Sequence, residues 1–158
     1  MIIFQGTFDP FTNGHLEIVE KAHVLFGAVR VLLLVNPDKV PLFSIEERKH
    51  MIRTAVANIP NVSVDSYEGL LVDYMRANDL TTCVRGVRNA TDAAYELHNA
   101  HLSQAIFPPL NTLFLPCSIA SMQISSSAVK KACQTGSLPS RWVPPIVQEK
   151  LTEKFSFF

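Results

Sequence analysis

The segment Val29–Val35 is apolar at every position except Arg30, and it constrains the fold more than any other stretch. A strand with one face in water alternates apolar and polar residues. A strand apolar on both faces belongs inside a parallel sheet with helices above and below. The residues around it carry the other half of that pattern. Ile2–Phe4 reads as a short strand, and Leu16, Val19, Ala22 and Phe26 then recur at helical spacing. Thr12 or Asn13 offers that helix an N-cap, and Gly27 stops it.

The alternation continues downstream. Ser44-Ile45-Glu46-Glu47 is a capping box that opens a helix to about Asn58, closed by Pro60-Asn61. Val62–Val64 reads as a third strand, Leu70–Ala77 as a helix and Thr82–Val84 as a fourth strand. A long helix is expected over Asp92–Ile106, ending before Pro108-Pro109, followed by a fifth strand over Thr112–Leu115. Ile124–Cys133 is helical, with Gly136 just past its end, and Pro144-Pro145 begins a last helix through about Lys154. Such alternation predicts one α/β domain over residues 1–158: a Rossmann-like, doubly wound, parallel five-stranded sheet with helices on both faces. With 158 residues, 47% of them hydrophobic, one well-buried core is expected.

Charge and cysteine usage exclude several functions. Lys+Arg and Asp+Glu both number 14, whereas a nucleic-acid binder usually carries a basic excess. No nucleic-acid partner is expected, and any anion site must be local. Cys83, Cys117 and Cys133 form no C-x-x-C pair and read as reduced thiols. The longest apolar run, Val31–Val35, is far too short to cross a bilayer. The N-terminus reaches Gly6 and Asp9 too soon for a signal peptide. These readings predict a cytoplasmic protein without a membrane partner. No G-x-G-x-x-G follows the first strand, which argues against a redox dinucleotide enzyme.

Doubly wound sheets bind ligands beyond the carboxyl ends of their strands. The chemistry-bearing residues fall there: Gly6–His15 after the first strand, Lys39 after the second, Arg85–Arg88 after the fourth, Ser125–Ser127 after the fifth. Gly6 lets backbone approach a ligand, Pro10 stiffens the turn, and Asn13-Gly14 leads into a helix whose free N–H groups attract anions. His15, in its first turn, can donate to a phosphate. Taken singly, each residue has a bland reading: a capping histidine, a solvated Lys39, salt-bridged Arg85 and Arg88, a simple serine N-cap. Together they point to a phosphate-bearing ligand, and there the physical reading stops.

The run Gly6-Thr7-Phe8-Asp9-Pro10-Phe11-Thr12-Asn13-Gly14-His15 resembles the (H/T)-x-G-H signature of the nucleotidyltransferase superfamily. Its T-N-G-H form is similar to that of the phosphopantetheine adenylyltransferases. The resemblance extends through Asn36-Pro37-Asp38-Lys39, Phe43-Ser44-Ile45-Glu46-Glu47-Arg48, Val84–Arg88, Tyr95-Glu96 and Ile124–Ser127, across essentially the whole chain. It implies transfer of AMP from ATP to 4′-phosphopantetheine, a step of coenzyme A biosynthesis, by in-line attack without a covalent intermediate. It also implies Mg²⁺ carried by the ATP phosphates and not by protein ligands, a homohexamer, and feedback by coenzyme A.

Residue roles follow from the same resemblance. Thr7, His15, Lys39 and Arg88 are the expected catalytic residues. Thr7, Phe8, His15, Gly86, Val87, Arg88, Glu96 and the run Ser121, Met122, Gln123, Ile124, Ser125, Ser126, Ser127 would hold ATP. Thr7, Lys39, Leu71 and Arg85 would hold the acceptor. Four positions depart from the pattern: Phe4-Gln5 stands for Tyr-Pro, Ser121 for an aromatic and Ser103 for an asparagine. Acceptors such as nicotinamide mononucleotide or a phosphoalcohol go with H-x-G-H, against which Thr12 argues. The cytidylyltransferase branch has a different C-terminal motif, and a silent nucleotide-binding module would not need Thr7, His15, Lys39, Arg85 and Arg88 together. The aromatic tail, Phe155-Ser156-Phe157-Phe158, has two readings, packing on a neighbouring chain or fraying.

Overall fold

The computed structural model describes residues 1–156; Phe157 and Phe158, half of the aromatic tail, lie outside the described residues. The strands are β1 (Ile2–Gly6), β2 (Val29–Val35), β3 (Val62–Glu68), β4 (Thr82–Val87) and β5 (Asn111–Pro116). The helices are α1 (Asn13–Phe26), α2 (Ile45–Ala55), α3 (Leu71–Ala77), α4 (Ala90–Ile106), α5 (Ser126–Gln134) and α6 (Pro145–Phe155). All strand pairs are parallel, in the order β3-β2-β1-β4-β5. The chain therefore builds outward from β1 to β3, then returns to lay β4 on the other side of β1. That reversal is the switch point.

Alternation along the strands divides the core between the two faces. Ile2 and Phe4 of β1 pack with Ile18, Val19 and Ala22 of α1, Met51 and Ile52 of α2, Val129 of α5 and Leu151 of α6. Ile3, between them, points to the other face with Leu32, Cys83 and the α3 residues Val72, Tyr74 and Met75. Arg30, the one polar residue of β2, also faces α3, donating to Tyr74 Oη at 2.9 Å, while that hydroxyl donates to Asp65 at 2.7 Å.

The predicted element order holds, and the boundaries moved for local reasons. Helix α2 ends at Ala55, short of Asn58, because Ala57 and Ile59 bond carbonyls only three residues back. Strand β3 runs past Val64 to Glu68, since every residue of β2 through Val35 finds a partner on it. Strand β4 runs past Val84, so Arg85, Gly86 and Val87 lie in the sheet and not in a loop. Helix α5 starts at Ser126 with Ser125 as its N-cap, two residues later than expected. At Gly86 a Cβ would lie 2.8 Å from Ile18 Cγ1, so glycine lets α1 settle against β4 at the switch point.

Candidate active site

A cleft opens at the carboxyl ends of β1 and β4 and has two halves. The first is lined by Thr7, Phe8, His15, Gly86, Arg88 and Ser125–Ser127, among others. The second lies on the α3 side, against Leu34, Asn36, Pro37, Gly69 and Leu70. Gln5, Gly6, Thr7 and Arg85 line both, so the halves meet at the end of the central strand.

His15 is set by the start of α1. Thr12 is the N-cap: its Oγ1 accepts from His15 N–H at 3.2 Å, and its own N–H donates to His15 Nδ1 at 3.0 Å. This is a capping box with imidazole where a glutamate usually stands. Because Nδ1 accepts from a backbone donor, the neutral ring carries its proton on Nε2. Phe8 and Phe11 flank the ring with centroids at 5.0 and 5.5 Å. Burial, then the charges of Arg85 and Arg88, lower its pKa from 6.5 to about 3. At neutral pH, His15 is an uncharged Nε2–H donor in the cleft.

That depression makes folding sensitive to acid. Between pH 6.5 and about 3 the unfolded chain holds a proton on this histidine that the folded one does not. Stability from this group is fully present above 6.5 and declines as pH falls, with a limiting slope of about 1.4 kcal/mol per pH unit. Urea unfolding at pH 7, 6, 5 and 4 should show a shallower decline for His15→Gln than for the wild type. Identical declines would refute the assignment.

Both cleft arginines are held by carboxylates of α4. Arg85 donates through Nε and Nη2 to Glu96, each at 2.7 Å, and through Nη1 to the Gln5 carbonyl. Arg88 donates to Asp92 from its backbone N–H at 3.0 Å and from Nη2 at 3.3 Å. Across the cleft, Ser125 Oγ caps α5 and Ser126 Oγ donates to the Pro10 carbonyl at 2.7 Å, tying two loops together.

Of the predicted site residues, Thr7, Phe8, His15, Arg85, Gly86, Arg88, Glu96, Ser121 and Ile124–Ser127 line the cleft. Others do not. Lys39 lies in an exposed turn, its N–H on the Asn36 carbonyl at 3.2 Å, so the loop after β2 reaches the cleft through Asn36 and Pro37 and not through Lys39. Leu71 packs on the α3-side core, because α3 begins there, and Leu70 faces the second half instead. Val87 is held within the sheet, and Met122 and Gln123 point outward. Glu96, expected at a ribose, is paired with Arg85.

Sequence reasoning missed three supporting carboxylates. Asp92 lies four residues after Arg88, a spacing that could have flagged the pair. Glu17 accepts from Ser118 N–H at 2.6 Å and Ser121 Oγ at 2.5 Å; burial raises its pKa, but these bonds and Lys21 prevail and hold it at about 2. Asp9 accepts from the N–H groups of Leu42 and Phe43 at 2.8 and 3.0 Å and pairs with Lys130 at 3.4 Å. No local signal marks those partners.

The cytidylyltransferase-like family model matches residues 3–132. Proteins named phosphopantetheine adenylyltransferase from Dictyoglomus turgidum and Caldanaerobacter subterraneus are each 40% identical over 97% of this chain and 96% of their own. A Synechococcus protein of that name is 42% identical over the same shares. Among solved structures, a bifunctional NMN adenylyltransferase/ADP ribose pyrophosphatase from Francisella tularensis superposes with a TM-score of 0.71. It is 17% identical, and the match covers 98% of this chain and 49% of that one, a likeness of fold.

Proposed function

The chain belongs to the phosphopantetheine adenylyltransferase family of cytidylyltransferase-like nucleotidyltransferases, and on that premise we propose how its cleft works. The protein moves AMP from ATP to 4′-phosphopantetheine, giving dephospho-coenzyme A and pyrophosphate. The observation that supports a two-substrate reading is the cleft itself, whose halves meet at Thr7 and Arg85. ATP occupies the His15 half, its β- and γ-phosphates at Arg88 and the N-terminus of α5. The acceptor occupies the Leu70 half, its phosphate at Thr7 and Arg85.

An oxygen of the acceptor phosphate attacks the α-phosphorus in line. The bond to the β-phosphate oxygen breaks, and pyrophosphate leaves with the electron pair. The attacking oxygen is already ionised, so no general base and no covalent enzyme intermediate are needed. Placement and charge stabilisation supply the rate. His15 Nε2–H donates to the α-phosphate. Arg85 leaves Glu96 for the acceptor phosphate, which frees the carboxylate for the ribose. Lys39 reaches the reacting phosphates when its turn folds over Asn36 and Pro37, the adenine rests on backbone near Val87 and Met122–Ile124, and Leu71 stiffens the acceptor wall behind Leu70.

Mg²⁺ fits as a passenger of the triphosphate. Of the carboxylates lining the first half, Asp92 is committed to Arg88, and Glu96 to Arg85 or, once released, to the ribose, leaving serine hydroxyls and phosphate oxygens as hard donors. When bound, the ion shields phosphate charge. Coenzyme A shares the product's adenine and pantetheine arm, so we expect feedback binding in the same cleft. Exposed Tyr95, Leu102 and Ile106 recur at helical spacing along α4 and support assembly, which we propose as a homohexamer; light scattering tests it. No helix of the described residues is long and apolar enough to cross a membrane, consistent with the cytoplasmic location we propose.

The test is pyrophosphate release with ATP, Mg²⁺ and, in turn, 4′-phosphopantetheine, nicotinamide mononucleotide and a phosphoalcohol. Release with the first alone is expected. Release only with another acceptor overturns the acceptor assignment.

A further inference from the structure

Arg48 of α2 is 3% exposed and lines neither half of the cleft. Its Nη1 donates to the Thr7 carbonyl at 2.9 Å and its Nε to the Ser44 carbonyl at 3.3 Å. Burial lowers its pKa while the charge of Asp9 raises it. A buried guanidinium carries a desolvation cost. Here its donors are directed at backbone, and one of them fixes the residue where both halves of the cleft meet.

The peptide that Arg48 grips also carries the Phe8 N–H. In a trans peptide the C=O and N–H point in opposite directions, and Asp9–Pro10 is the only cis bond among the described residues. With the Thr7 carbonyl drawn toward Arg48 of α2, the Phe8 N–H is turned away from Arg48, and both Thr7 and Phe8 line the cleft. That N–H makes no backbone hydrogen bond to another described residue. Phe8 has φ 49°, the left-handed region, which a bulky side chain adopts only when its surroundings hold it there. Two grips keep it there. Its ring packs against Phe4 and Phe11 with centroids at 5.3 and 5.5 Å, and Arg48 holds the carbonyl on the far side.

We infer that Arg48 is a positioning residue for nucleotidyl transfer, holding the Thr7–Phe8 peptide so that the Phe8 N–H donates to a nucleotide phosphate oxygen. This rests on the reading that the His15 half of the cleft takes ATP. Arg48 touches no substrate itself and acts through one peptide plane.

The test compares Arg48→Lys and Arg48→Met with the wild type by ATP–Mg²⁺ calorimetry, steady-state kinetics and thermal melting. Lysine keeps a cation beside Asp9, but its single nitrogen cannot serve the Thr7 and Ser44 carbonyls as the guanidinium fork does. Both variants should lose about tenfold or more in ATP affinity and kcat, less than removal of a donor outright. KM for 4′-phosphopantetheine should rise by less than ATP affinity falls, because Arg85 still holds the acceptor phosphate while the Phe8 N–H is lost to ATP. Should the methionine variant fail to fold, the lysine variant decides. A lysine variant that folds with ATP affinity and kcat both unchanged overturns the inference, as does a loss that only tracks the folded fraction. A lysine variant that cannot fold makes the role structural and overturns it too. Wild-type protein that binds ATP but makes no product refutes the acceptor reading, and the ATP titration still decides the role of Arg48.

Discussion

Replacing His15 with alanine lowers kcat by roughly 10²–10³, the cost of losing one transition-state donor, and leaves the chain folded. Its Nδ1 is occupied by the Thr12 N–H, and its proton lies on Nε2 in a ring that burial and Arg85 keep neutral. A neutral donor gives up no proton to the phosphates and needs no reorganisation as charge builds on them. KM for both substrates should change much less than kcat, because the bond strengthens as the α-phosphate becomes five-coordinate. Alanine also removes half of the capping box, so a modest drop in melting temperature is expected. Pyrophosphate release under saturating substrates measures the effect. A folded variant with full turnover would remove His15 from the mechanism.

The second large effect falls on stability. Asp9→Ala should cost about 3 kcal/mol, since it strips partners from buried groups. Asp9 is 5% exposed, and its two oxygens hold the N–H groups of Leu42 and Phe43. Those N–H groups lie at the entry to α2, so the carboxylate fastens the loop after β1 to the loop after β2. Lys130 of α5 adds a third attachment. Alanine leaves both donors and the cation without their acceptor. Asp9→Asn keeps an oxygen for one N–H and sets an amide NH2 donor against the other, so an intermediate loss is expected. Urea unfolding at pH 7 measures both. If alanine costs less than about 1 kcal/mol, water replaces the carboxylate and the loop is not fastened this way.

The N-terminal elements were legible because their signals are local. Thr12 caps α1 and Gly27 ends it with φ 74°; Ser44 and Glu47 box the start of α2. The apolar faces of β2 against both layers follow from its composition, and the parallel layering follows from strand–helix alternation, whereas the reversal between β1 and β4 is read only from the structure. Strand ends were less legible. Asp65, Ser66 and Glu68 are polar, and only pairing with β2 makes them strand.

The cleft divides in the same way. Sequence by itself determined that Thr7–His15 and Ser125–Ser127 follow strands and that Arg85–Arg88 lies at the carboxyl end of one, and so which strand ends could bear a ligand. The tertiary structure alone decided that Lys39 stands off in an exposed turn and that Leu70, not Leu71, faces the second half. It alone paired Arg85 with Glu96, Glu17 with Ser118 and Ser121, and Arg48 with the Thr7 carbonyl. The physical reason is range. Caps and periodicity are settled within one or two turns of chain, whereas these bonds join residues that only the closed sheet brings together.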